Sequence, residues 1–71
     1  MTQAQALAQE LFDKAVEPIM DLPLSDDVIK YKGLEIALAM LDQIFDRNTN
    51  QSKHGLYCET QLVLLAGDVE Y

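Results

Sequence analysis

The chain has 71 residues, nearly half of them hydrophobic, and its 12 acidic and 5 basic side chains give a formal net charge of −7. This length allows one domain with a thin hydrophobic core. The negative charge disfavours direct binding to nucleic acid or to an anionic membrane, because phosphate groups are bound by clustered Lys and Arg. No apolar run is long enough to span a bilayer, and residues 1–9 lack the features of a signal peptide. We therefore expect a cytoplasmic protein whose partner is another protein.

The first predicted element is an amphipathic helix (helix 1) over residues 3–17. Its apolar residues recur at steps of three and four, which places them on one helical face. Thr2 and Gln5 have the spacing of a capping box, and Pro18 is expected to end or kink the helix. The apolar positions are Ala4, Leu7, Ala8, Leu11, Phe12, Ala15, Val16 and Ile19.

A second helix (helix 2) is predicted over residues 26–47. Ser25 is a favourable N-cap, and Asp26 and Asp27 lie where the helix dipole favours negative charge. This helix carries two apolar stripes, so it must be covered from two directions. The first stripe consists of Val28, Tyr31, Leu34, Leu38, Leu41 and Phe45, and the second of Ile29, Gly33, Ile36, Ala37, Met40 and Ile44.

Two interpretations compete for the third element. Aromatic and β-branched residues within 56–66 favour a strand. Ser52 as an N-cap and Gly67 just after the last turn instead bracket a helix over residues 53–66, which we prefer. Residues 68–71 are expected to be frayed. If the element is a helix, its apolar stripe is predicted to consist of Cys58, Leu62, Leu65 and Val69.

Together the elements predict an all-α fold, in which helices 1 and 2 form an antiparallel helical hairpin and a shorter third helix completes the domain. So short a chain has little core of its own, and one cysteine cannot form an internal disulfide. We therefore expect a two-fold homodimeric bundle. The alternative is that the second stripe of helix 2 only completes a three-helix core. The seam of the dimer is predicted on that stripe, at Ile29, Gly33, Ile36, Ala37, Met40 and Ile44.

The only histidine and the only cysteine, His54 and Cys58, have a spacing that brings two side chains together on a helix. A structural zinc site needs about four ligands, and a reactive thiolate needs an accessible position beside a base or a positive charge. Cys58 lies instead on the predicted apolar stripe. The chain also lacks phosphate-loop, zinc-protease and calcium-loop motifs. We expect no enzyme activity, no cofactor and no metal.

Three acidic residues, Glu35, Asp42 and Asp46, share one side of helix 2. Such residues usually form a solvated face, but they can also bind a basic surface of a partner. The chain is similar in size and composition to the accessory proteins of bacteriophages and mobile elements, which bind and inactivate host factors. The hypothesis is a non-catalytic regulator or inhibitor that binds a host or cellular protein through a helical surface. Two alternatives stay open: an acidic DNA mimic that blocks a nucleic-acid-binding protein, and a small structural or ligand-binding helical dimer.

Overall fold

The computed structural model describes the backbone of residues 2–47 and 54–71, and the side chains of residues 2–45 and 55–71. It contains three helices, α1 (Gln3–Val16), α2 (Asp26–Arg47) and α3 (His54–Ala66), and the described ranges contain no strand. The strand considered for residues 56–66 is therefore wrong. A lone strand would leave its backbone groups without partners, whereas a helix pairs them within the segment. The proposed N-cap Ser52 lies outside the described residues.

Helix α1 begins with the capping box predicted from the sequence. The Thr2 hydroxyl accepts a hydrogen bond from the backbone N–H of Gln5 at 3.1 Å, and the Gln5 side chain accepts one from the backbone N–H of Thr2 at 2.9 Å. The helix ends at Val16, and the backbone N–H of Glu17 still donates to the Asp13 carbonyl at 3.3 Å. Helix α1 therefore stops just before Pro18, where the sequence places its end.

Helix α2 also begins at the residue that the sequence indicates. The Ser25 hydroxyl accepts from the backbone N–H of Val28 at 3.4 Å, and the Ser25 carbonyl accepts from that of Ile29 at 3.0 Å. Asp26 and Asp27 occupy the first turn, where the positive end of the helix dipole stabilises their charge.

Helix α3 ends in a Schellman motif. Gly67 has a φ of +69°, its N–H donates to the Leu64 carbonyl, and the N–H of Asp68 donates to the Val63 carbonyl, both at 3.1 Å. Positive φ strains residues that carry a Cβ, so glycine is the favoured residue here. The stop signal at Gly67 is confirmed.

The three helices all contact one another and enclose two adjoining apolar clusters. The first cluster is built from all three helices and the second from α1 and α2. Val69, after α3, packs against both clusters, as does Leu34 of α2. The buried members of the first cluster are Ala8, Leu11, Ala15, Ala37, Leu41 and Leu64, and those of the second are Phe12, Val16 and Ile29.

The segment after α3 is docked on α1, which contradicts the expectation that residues 68–71 are frayed. The Gln9 side chain donates to the Glu70 carbonyl at 2.8 Å and accepts from the Glu70 N–H at 2.7 Å. The Tyr71 ring meets that of Phe12 edge to face, with centroids 6.2 Å apart. These contacts, together with the half-buried Val69, hold the segment in place.

Candidate protein-binding surface

The outer face of α2 combines apolar and acidic side chains in contact with solvent. Val28, Tyr31, Glu35 and Asp42 follow one another at steps of three, four and seven residues, so they share one side of the helix. All four are exposed, and Tyr31 is exposed over 71% of its surface. The other side of α2 is buried, at Ile29, Gly33, Ala37 and Leu41.

Asp42 also takes part in a contact between α2 and α3. Its carboxylate accepts a hydrogen bond from the Tyr57 hydroxyl, and the Tyr57 ring meets that of Phe45 edge to face at a centroid distance of 5.2 Å. The hydrogen bond to Asp42 raises the pKa of Tyr57, with smaller contributions from desolvation and from electrostatic interactions with Asp42 and Cys58. The carboxylate is thereby held at one position, while Val28, Tyr31 and Glu35 remain exposed.

The three acidic residues predicted to bind a partner, Glu35, Asp42 and Asp46, all lie on α2. Glu35 and Asp42 are both exposed on the outer face of α2. Asp46 lies within α2, and its side chain is outside the described residues. The structure therefore brings Glu35 and Asp42 onto one surface with Tyr31, an exposed member of the first predicted apolar stripe of α2.

The six residues predicted for a dimer seam are distributed over different environments. Ile29, Gly33 and Ala37 are buried within the chain, and at Gly33 a Cβ atom would contact Val16 and lie 3.0 Å from the Phe12 ring. The close approach at Gly33 therefore serves the packing of α2 on α1 of the same chain. Of the remaining three, Met40 packs against the first cluster, while Ile36 and Ile44 are exposed.

The predicted apolar stripe of α3 is wrong at two positions. Leu62 and Leu65 point outward, exposed over 65% and 64% of their surfaces, whereas Thr60 and Leu64 are buried. Most residues of α3 are apolar, so three- and four-residue spacing can be drawn along more than one of its sides. The near absence of charge in this helix could have indicated the problem, because charged positions usually mark the side that faces solvent. Glu59 is the only Asp, Glu, Lys or Arg in His54–Ala66.

Of the two residues His54 and Cys58, only Cys58 has a side chain within the described part of the chain. Cys58 is half-buried on α3, and the side chain of His54, the first residue of that helix, lies outside the described part of the chain. Among the described residues, no group of three or more His, Cys, Asp or Glu side chains is placed to hold a metal ion.

An open groove of about 360 Å³ lies where the start of α1 meets the end of α2 and the start of α3. Its floor is largely apolar, and Glu10 on its edge forms an ion pair with Lys14 at 3.3 Å. The lining residues are Gln3, Ala6, Leu7, Glu10, Ile44, Phe45 and Leu56.

None of the helices in the described ranges has the length and apolar character needed to span a membrane. Comparison of the sequence with protein-family models and with curated proteins finds no match, and comparison of the fold with solved structures finds none either.

Proposed function

We propose that this chain is a non-catalytic regulator or inhibitor that acts by binding another protein with the outer face of α2. The proposal rests on the exposure of Tyr31, which presents 71% of its surface to solvent beside Val28 and Glu35. Tyrosine is enriched at the energetic centres of protein interfaces, because its ring buries a large apolar area and its hydroxyl can form a hydrogen bond.

The acidic neighbours of Tyr31 define the chemistry of the partner. Glu35 lies about one turn after the tyrosine and Asp42 about three turns after it, on the same side of the helix, and the whole chain carries a net charge of −7. A partner surface with Lys or Arg around an apolar pocket would complement this arrangement and would be attracted to it over long range. The proposal therefore specifies a basic protein surface.

In the proposed architecture, α1 and α2 form an antiparallel hairpin that presents the outer face of α2. Two sets of contacts support it. Gly33, in the first half of α2, lies against Val16 near the end of α1. Ile44, near the end of α2, lines the same groove as Gln3 at the start of α1.

Self-association is also part of the proposal, because the chain is short and many of its large apolar side chains are exposed. Ile29, Gly33 and Ala37 of the predicted seam are already buried by the chain itself. A dimer that keeps this fold must therefore use other apolar residues.

The test compares proteins captured by wild-type bait with those captured by Tyr31→Ala and Glu35→Lys variants. A charge-matched control is Glu17→Lys, which reverses an exposed carboxylate at the end of α1. We expect a specific partner to be retained by the wild type and by the control and lost by both α2 variants. Its affinity, measured by calorimetry, should fall as salt is added. A partner retained equally by all four proteins would exclude the outer face of α2.

A further inference from the structure

The outward side of α3 is an uncovered apolar surface. Leu62 and Leu65 are three residues apart, so they lie on one side of the helix, and both are exposed over almost two-thirds of their surfaces. Cys58, half-buried, borders them one turn earlier. The other exposed residues on this side are Gly55, Glu59 and Ala66.

Charge distinguishes this surface from the outer face of α2. Helix α3 contains a single Asp, Glu, Lys or Arg, which is Glu59, whereas the chain as a whole has a net charge of −7. Two copies of so acidic a chain repel each other, and they can approach closely only where both present few charges. A basic partner, by contrast, would be attracted to Glu35 and Asp42 on α2.

The core of the single chain also leaves much apolar surface unburied. Of the ten buried hydrophobic residues among the described side chains, four are alanines, so six larger side chains supply most of the core there. Ten large hydrophobic side chains are exposed in the described part of the chain, and Leu62 and Leu65 are the most exposed of them after Tyr31. A second copy is the one partner that is always present with the chain and that offers the same apolar area in return.

We propose that the outward side of α3 packs against the same side of α3 in a second copy, with Leu62 and Leu65 at the centre of a two-fold contact. The proposal deepens the self-association part of the proposed function and is independent of binding through α2. A 13-residue helix is about 20 Å long, so the contact area is small and the dimer is of the weak, reversible class.

The experiment measures molar mass by sedimentation and light scattering from about 10 μM to about 1 mM, a range that covers weak self-association. We expect the wild type to shift from monomer to dimer across this range, and the dimer to strengthen with salt, because salt screens the repulsion between two acidic chains. Leu62→Glu and Leu65→Glu should each weaken the dimer by at least about tenfold, because a carboxylate would be buried at an apolar contact. Met20→Glu is the matched control, since Met20 is exposed over 56% of its surface and lies outside α3.

Three outcomes would overturn the proposal. They are a wild type that stays monomeric up to the highest concentration, a dimer that survives both leucine substitutions, and a dimer that Met20→Glu weakens equally. Circular dichroism checks that each variant keeps its helices, which we expect because Leu62 and Leu65 make little contact with the core.

A cross-linking pair locates the contact without adding charge. In Cys58→Ser/Ala66→Cys, the only cysteine lies on the outward side of α3, and in Cys58→Ser/Ala39→Cys it lies on the exposed side of α2. With a mild oxidant such as dissolved oxygen, we expect disulfide-linked dimers from the first variant and not from the second. The reverse result would assign the contact to α2. If Leu62→Glu is monomeric but still binds the basic partner, self-association and partner binding use two different surfaces. If Tyr31→Ala alone loses the partner, that result bears on the proposed function and not on the contact through α3.

Discussion

The side-chain amide of Gln9 pairs with the backbone of Glu70, which lies 61 residues later in the chain. The amide donates to the Glu70 carbonyl and accepts from the Glu70 N–H, as the backbone of a neighbouring strand would. The same amide nitrogen also donates to Asp13 at 2.9 Å, which fixes its orientation. One glutamine on α1 thereby holds the segment that brings Val69 against the core and Tyr71 against Phe12.

Replacement of Gln9 by Ala should release this segment. Both hydrogen bonds to Glu70 would be lost, and we expect unfolding to become easier by about 1 kcal/mol, with faster hydrogen exchange at the Glu70 amide. Gln43→Ala, at an exposed glutamine of α2, is the matched control and should leave that exchange rate unchanged. Slow exchange at Glu70 in the Gln9→Ala variant would show that Val69 and Tyr71 hold the segment without the amide.

Gly33→Ala should destabilise the contact between α1 and α2. The added methyl group would overlap Val16 and press on the Phe12 ring at 3.0 Å. Overpacking typically costs about 1–3 kcal/mol, which exceeds the gain of about 1 kcal/mol from replacing a helical glycine by alanine. Urea unfolding should therefore show a net loss of stability.

Two further variants test the cause of this loss. Gly55→Ala is the control, because a Cβ there meets nothing within 4 Å, and it should leave stability unchanged or raise it slightly. Val16→Ala should partly rescue Gly33→Ala by removing the overlapping Cγ1 methyl group of Val16. Additive effects of the two substitutions would contradict the proposed contact, since residues that share a clash should couple.

The sequence predicts those features of the fold that depend on residues close together in the chain, namely the starts and ends of the helices. The Thr2–Gln5 capping box, the Ser25 N-cap and the Gly67 stop each satisfy backbone groups in their own turn, and the structure contains all three. The docking of residues 69–71 has no such local signal. It depends on a pairing between Gln9 and Glu70 that only the completed fold brings together.

The sides of the helices are predicted less well where apolar residues surround a helix. In α1 the polar residues occupy one side, so the opposite side is predicted to be buried. The residues predicted for that side include Ala8, Leu11, Phe12 and Ala15, all of which are buried. In α3 periodicity alone does not choose between Leu62 and Leu64, because both lie among other apolar residues. The packing of α3 against the other two helices decides for Leu64 and leaves Leu62 to solvent.

Thr60 is a buried polar residue whose hydroxyl bonds only locally. Its side chain is fully buried and donates to the Leu56 carbonyl, one turn earlier, at 2.7 Å. Thr60→Val removes this bond but keeps the side-chain volume, and the Leu56 carbonyl can still accept its helical hydrogen bond. We expect a stability change within about 1 kcal/mol for Thr60→Val, and a loss of about 1 kcal/mol for Thr60→Ser, which deletes a buried methyl group. Thermal or urea unfolding that ranked Val as the more damaging substitution would show that the hydroxyl matters more than the methyl.

The hydrogen bond from Tyr57 to Asp42 predicts a dependence of stability on alkaline pH. The hydroxyl must stay protonated to donate, and its ionisation would place a phenolate beside a carboxylate, so the pKa of Tyr57 is raised in the folded protein. In the unfolded chain the pKa of a tyrosine is about 10. A group whose pKa is higher in the folded state contributes its full stabilisation below the unfolded pKa and loses it as the pH rises through the folded pKa.

Tyr57→Phe isolates this contribution. The difference in unfolding free energy between the wild type and Tyr57→Phe should stay constant below about pH 10 and shrink above it, because lysines and other groups that titrate there are common to both proteins. Asp42→Asn keeps an oxygen acceptor but removes the charge, so the decrease should begin at the same pH, end at a lower pH and be smaller than in the wild type. Tyr31→Phe, at an exposed tyrosine of α2, controls for tyrosine replacement itself. A wild-type minus Tyr57→Phe difference that did not change across this pH range would contradict a folded-state hydrogen bond between Tyr57 and Asp42.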